Sequence, residues 1–173
     1  LGVEAVITAD KEELQSADKV IFPGVGEAET TMNHLKATGL DELIKNLRQP
    51  VFGICLGMQL MCRHSEEGDV DCLGIFDTDV KRFISQRHED KVPHMGWNKT
   101  NPINTNDIFN NLEDNRFYFV HSYHVVCNNE KNILATANYG QTFTCSIYKD
   151  NIYGVQFHPE KSHKFGMQLL KNF

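Results

Sequence analysis

Short apolar runs alternate with helical spacings along the first third of the chain. Residues 3–8, with Val and Ile, read as a short strand. Asp10 can cap a helix start, with Glu13 three residues later. Residues 19–22 read as a second strand, ended by Pro23-Gly24-Val25-Gly26. Met32 and Leu35 then sit on a helix. After a break at Gly39, Leu40, Leu43, Ile44 and Leu47 continue the helical spacing. Residues 50–54 form a buried-type strand that runs directly into a helix start at 55–62. Strand and helix in alternation, with short connections, imply a parallel sheet covered by helices on both faces. In such sheets ligands bind at the carboxyl ends of the strands.

The pattern changes after Leu73. Val80-Lys-Arg-Phe83 leads into a polar stretch at 85–91, and Val92-Pro-His-Met-Gly-Trp-Asn98 precedes an Asn/Thr-rich loop at 101–107. Residues 117–120 are a strong strand. Residues 141–148 and 151–157 read as a hairpin turning near Lys149-Asp150-Asn151. A last helix at 164–173 places Phe165, Leu169 and Phe173 at i, i+4 and i+8. This half reads as antiparallel and mixed. There is no internal repeat or linker, so residues 1–173 are expected to form one domain.

Composition narrows the class. Seventeen Lys and Arg stand against 23 Asp and Glu, a net charge of −6, which speaks against nucleic-acid or anionic-membrane binding. No apolar run approaches the roughly 18–20 residues of a membrane span. The opening residues lack the basic region and long apolar core of a secretory signal. Five cysteines, an odd number without a C-x-x-C pair, fit reduced thiols in a cytoplasmic protein rather than a disulfide framework or a zinc site. Asn98-Lys99-Thr100 matches a glycosylation sequon but reads as an ordinary polar loop.

The candidate chemistry lies at strand ends. Gly53-Ile-Cys55-Leu-Gly57 is the cysteine form of the nucleophile elbow. Its glycines let the chain turn sharply, and the helix that follows points free N–H groups at the sulfur, which favours thiolate. A lone cysteine is more often inert, but the strand before and the helix after fit the elbow. Gln156-Phe-His158-Pro-Glu160 supplies a base and a group to orient it. Alternation along a strand would put His158 and Glu160 on one side. The loop at 23–26 could offer backbone N–H groups which, with that of Leu56, would make an oxyanion hole; alone it is an ordinary turn. His121 and His124, three apart on a strand, point to opposite faces, so a shared metal is not expected. His34, His64, His88 and His163, and the cysteines other than Cys55, read as surface or packing residues.

Together, Gly53-Ile-Cys-Leu-Gly-Met-Gln59 and Phe157-His-Pro-Glu160 resemble the two motifs of the class I (triad) glutamine amidotransferases, over essentially the whole chain. Four segments resemble the glutaminase subunits of imidazole glycerol phosphate synthases within that class. They are Pro23-Gly-Val-Gly26, Val92-Pro-His-Met-Gly-Trp-Asn98, Phe119-Val-His-Ser-Tyr123 and Gln156-Phe-His-Pro-Glu-Lys-Ser162. The resemblance implies a flavodoxin-like α/β three-layer sandwich, with a mostly parallel central sheet and an antiparallel extension. It implies glutamine hydrolysis through a triad of Cys55, His158 and Glu160. The peptide units of Val25 and Gly26, with Leu56, would form the oxyanion hole, and Gln59, Ser122 and Tyr123 would bind substrate. Trp97 and Asn98 would lie toward a partner and the ammonia exit. That partner would be a (β/α)8-barrel cyclase subunit, in a heterodimer that forms imidazole glycerol phosphate and AICAR in histidine biosynthesis. No cofactor and no metal is implied. The family's first strand and helix have no match here, which suggests a truncated chain. Two alternatives stay open: the glutaminase of another synthase (anthranilate or pyridoxal phosphate), or a silent module that only holds a partner.

Overall fold

Asp10 begins the first helix as its spacing predicts. In the computed structural model, which describes residues 1–84, 91–103 and 106–173, its carboxylate accepts the N–H groups of Glu12 and Glu13 at 2.9 and 3.0 Å. Helix α1 then spans Lys11–Ser16. Strand β1 (Val20–Gly24) leads to helices α2 (Ala28–Thr38) and α3 (Leu40–Asn46). These meet at Gly39, whose φ of 66° is the left-handed conformation that ends a helix at little cost in glycine. Strand β2 (Val51–Cys55) runs without a loop into helix α4 (Leu56–Leu60). A small hairpin follows, β3 (His64–Ser65) and β4 (Val70–Asp71), and then β5 (Asp79–Arg82). The second half contains β6 (His94–Pro102), β7 (Arg116–His121), β8 (Tyr123–Val126), β9 (Ile133–Tyr139), β10 (Gln141–Lys149), β11 (Ile152–Val155) and helix α5 (His163–Asn172).

The sheet has a parallel heart and a surround that is antiparallel apart from the short parallel pair β3–β5. β1 and β11 flank β2, both parallel to it. The predicted hairpin β10–β11 then starts the antiparallel part, which continues through β8 on one path and through β9, β6 and β7 on another. Sequence patterning left β8, β9 and the β3–β4 hairpin undivided.

Alternation along the central strands feeds two cores. Val51 and Ile152 face a cluster built with α2, α3 and α4, including Met32, Leu43 and Met58. Phe52, Ile54 and Val155 face the other, with Phe117, Phe119, Phe157 and Leu169 of α5. The carboxyl end of β2 is thus held from both faces.

Two expectations do not hold. Residues 3–8 form no strand, and Val3, Val6 and Ile7 are exposed. A strand exists only through a ladder, and this segment pairs with no strand among the described residues. The sequon Asn98-Lys99-Thr100 lies within β6, not in a loop. The polar stretch read at 85–91 lies outside the described residues except for Lys91, so His88 is outside them too.

Candidate active site

The elbow turns by a different device from the one its glycines suggest. Cys55 itself takes the strain, with φ 54° and ψ −111°. A non-glycine residue held there costs about 1–3 kcal/mol and persists only where its surroundings enforce it. Gly53 and Gly57 serve close approach instead. A Cβ on Gly57 would stand 1.9 Å from the carbonyl oxygen of Phe22, and one on Gly53 2.8 Å from the amide nitrogen of Met58. The start of α4 therefore lies against β1 as well as continuing β2.

Burial decides the state of the thiol. It pushes the Cys55 pKa up to about 11, helped by the negative charges of Glu160 and Glu67. The N–H of Leu56 and the amide of Gln156 pull the other way and lose. The expected thiolate bias is thus reversed: the resting sulfur is protonated and needs a base.

His158 and Glu160 come together through a turn, not through strand alternation. The chain leaves β11 and Pro159–Lys161 closes a single 3-10 turn, which folds Glu160 back onto the ring. Glu160 Oε1 lies 2.7 Å from His158 Nδ1, so Nδ1–H donates and Nε2 is left as the basic nitrogen. The ring is buried while the Glu160 side chain is half exposed. The backbone beneath is fixed as well: His158 N–H donates to Tyr118 O at 2.9 Å. Ser162 Oγ–H donates to His158 O at 2.6 Å, and Ser162 Oγ accepts Tyr118 N–H at 3.0 Å.

Cys55 and His158 line one cleft of about 360 Å³. Val25, Gly26 and Leu56 line it too. Gly26 has φ 126°, and its missing Cβ would meet nothing within 4 Å, so backbone conformation rather than space calls for glycine. Gln59, Ser122 and Tyr123 complete the set expected around the substrate. Gln59 is buried, its Nε2 donating to Tyr123 O at 3.1 Å and Gln156 Oε1 at 2.9 Å. Trp97 and Asn98 lie apart from the cleft on β6. Trp97 is half exposed and stacks on His163 at 5.6 Å and 10°.

Sequence reasoning missed several residues lining the cleft or buried behind it. Gln156 donates Nε2–H to Cys55 Sγ at 3.6 Å; its place beside the His-Pro-Glu motif was a usable signal. Glu67 reaches the cleft from the β3–β4 turn, where no motif marks it. Its carboxylate accepts Ala28 N–H at 3.1 Å, and burial raises its pKa. Lys161 and His121 also line the cleft. His121 and His124 do not face apart, because the ladder breaks at Ser122. Both rings pack on Phe83, at 5.3 and 4.3 Å. Among the described residues no group of His, Cys, Asp and Glu is arranged to hold a metal ion.

The glutamine amidotransferase class-I family model matches residues 3–173. The chain belongs to the class I glutamine amidotransferases. It is 68% identical, over its full length and 87% of the relative's, to imidazole glycerol phosphate synthase subunit HisH of Bacteroides thetaiotaomicron. The HisH 2 protein of Methanococcus maripaludis is 48% identical, over the full chain and 88% of its own length. Solved structures share the amidotransferase fold at lower identity. A putative GMP synthase component of Thermoplasma acidophilum aligns at TM-score 0.70 and 20% identity, over 95% of this chain and 74% of that one. The glutaminase domain of Trypanosoma brucei CTPS, solved with bound acivicin, aligns at 0.62 and 16%, over 94% and 73%. No helix among the described residues of this amidotransferase is long and apolar enough to cross a membrane.

Proposed function

We propose that this chain is the glutaminase subunit of an imidazole glycerol phosphate synthase, hydrolysing glutamine and delivering ammonia for histidine biosynthesis. The observation that carries the reading is a strained cysteine on a strand–helix elbow sharing one cleft with a carboxylate-oriented histidine. Identity of 68% to a HisH subunit supports the choice of synthase.

The geometry suggests a sequence of steps. His158 Nε2 takes the Cys55 proton, and the sulfur adds to the carboxamide carbon of glutamine. The developing oxyanion meets the Leu56 N–H and backbone donors of the 24–26 loop. Collapse breaks the C–N bond as His158 returns the proton to the leaving nitrogen, giving ammonia and a thioester. His158 then deprotonates a water that attacks the thioester, releasing glutamate and restoring the thiol. Glu160 holds the imidazole tautomer and stabilises the imidazolium. Ser122 and Tyr123 shape the substrate wall, and Gln59 holds it from behind. The ammonia passes to a (β/α)8-barrel cyclase subunit in a cytoplasmic heterodimer, with Trp97 and Asn98 toward that partner.

Glu67 adds a specificity element. Its carboxylate on the cleft wall suits the α-ammonium of glutamine. Glu67→Gln keeps an oxygen for Ala28 N–H but removes the charge. It is expected to raise KM for glutamine about tenfold while kcat stays within about threefold. Steady-state glutamate release checks this, and a fall in kcat at constant KM would reassign the residue.

The protonated, buried thiol implies slow turnover by the chain alone. Glutamate release is measured with and without a cyclase subunit carrying its nucleotide ligand. Release that rises with the cyclase supports the synthase reading. Equal rates remove the coupling, and activation by the synthase subunit for anthranilate instead moves the chain to that pathway.

A further inference from the structure

A second hydrogen-bonded chain reaches the Cys55 sulfur through Gln156, and its polarity can be read from one atom. A peptide oxygen only accepts, so His121 Nδ1, 2.7 Å from Tyr123 O, carries its proton. His121 Nε2 is therefore an acceptor, and His94 Nδ1, 3.0 Å away, donates to it. His94 Nε2 is then an acceptor in turn, and it meets Asn98 Nδ2 at 3.3 Å. The far end agrees. Asn98 Nδ2 also donates to Asn138 O at 2.8 Å, while its Oδ1 accepts Lys99 N–H at 2.8 Å, so the amide cannot flip without losing both.

Both rings are held to this pattern. His94 lies between Phe119 and Tyr139, at ring distances of 4.9 and 4.0 Å. His121 packs among Phe83, Phe143 and Phe119. Burial lowers their pKa values to about 4 and about 3, so both are neutral and keep one tautomer each near neutral pH.

Tyr123 O has a second donor, Gln59 Nε2 at 3.1 Å. The same nitrogen donates to Gln156 Oε1 at 2.9 Å. With its oxygen so engaged, Gln156 turns Nε2 toward Cys55 Sγ at 3.6 Å. Reversed, the Gln156 amide would set a carbonyl oxygen against the sulfur and oppose a thiolate.

We propose that His121 is a positioning residue for the nucleophile: its Nδ1–H fixes the Tyr123 carbonyl that Gln59 Nε2 also engages, and that placement keeps the Gln156 donor on Cys55 Sγ. Its role here matters for turnover only if the glutaminase reading is right, so the test reads the sulfur directly.

The full chain is alkylated with iodoacetamide across a pH series, and Cys55 modification is followed by peptide mass spectrometry. The negative charges of Glu160 and Glu67 also act on this sulfur, and His158 and Lys161 line the same cleft; all four are common to every variant. His121→Phe keeps a ring of similar shape without a donor. His121→Asn places an amide nitrogen where Nδ1 stood. The expected result is alkylation about tenfold slower in the Phe variant at one pH near about 8, with a titration displaced upward. The Asn variant is expected within about threefold of wild type. Equal rates for Phe and wild type overturn the proposal. So does an Asn variant as slow as Phe, which would mean the histidine only fills space. If the Phe variant shows no cooperative melt, His121→Asn is compared with His121→Gln, whose amide reaches the Nε2 position instead. Faster alkylation of Asn supports the assignment and equality overturns it. Glutamate release by the wild-type chain with its synthase partner is scored separately, so a failed glutaminase reading and a failed relay give different results.

Discussion

Cys55→Ala is expected to lower glutamine hydrolysis by at least about 10⁴-fold, because no other group in the cleft can form the thioester. Cys62 and Cys145 are fully buried, and Cys72 and Cys127 lie outside the cleft lining, so none can substitute. The fold should hardly respond. Alanine accepts the backbone of position 55 no better than cysteine does, so the strain stays, and the lost sulfur contacts are worth about 1 kcal/mol. Glutamate release in the presence of the synthase partner, beside a urea melt, checks both halves. Residual turnover within about tenfold of wild type would remove Cys55 from its assigned role. A loss of activity together with a collapsed melt would show that the elbow, not the nucleophile, had failed.

Gly57→Ala is expected to do what Cys55→Ala does not, and cost the fold more than about 3 kcal/mol. The added methyl would stand 1.9 Å from Phe22 O and 3.0 Å from Phe22 C, both backbone atoms of a strand already paired with β2. Neither side can yield by a rotamer change. Relief requires parting α4 from β1, which opens the first core cluster along Met58 and Leu60. Gly74→Ala is the control. Its φ of 68° strains any side chain, yet its Cβ would meet nothing within 4 Å, so the cost there is about 1 kcal/mol. Urea denaturation of the two variants should separate them by about 2 kcal/mol or more. Equal midpoints would mean that the approach of helix to strand is looser than these distances.

Much of this was legible where chemistry and local structure coincide. The elbow was visible because a short strand and a helix flank Cys55 without a loop, and the α1 cap because Asp10 acts on its own neighbours. The pair His158–Glu160 was legible as a pair but not as geometry, since a two-residue spacing fits both a strand and a 3-10 turn. Position 55 was misread because the glycine pattern shows where space is needed but not which residue bears the strained dihedral. Thiol acidity was misread for a different reason. The N–H groups of the helix start are local and readable, whereas the burial that outweighs them is built by residues far apart in the chain. Glu67 and the His94–His121 pair were missed for the same reason, as each meets a partner distant in sequence: Glu67 the Ala28 N–H at the start of α2, His94 its cross-strand neighbour His121. Residues 3–8 carry a strand-like composition, yet composition cannot supply the neighbour that a ladder needs.

The dihedral angles of Cys55 also set the terms on which this enzyme can be made more robust. Glycine is the residue most at ease at φ 54° and ψ −111°, and it is also the residue with no nucleophile. A campaign that screens variants by heat resistance alone would therefore reward silence at position 55. Any such screen has to be run with turnover as a second gate, because the conformation that aims the sulfur is the one the chain would most readily surrender.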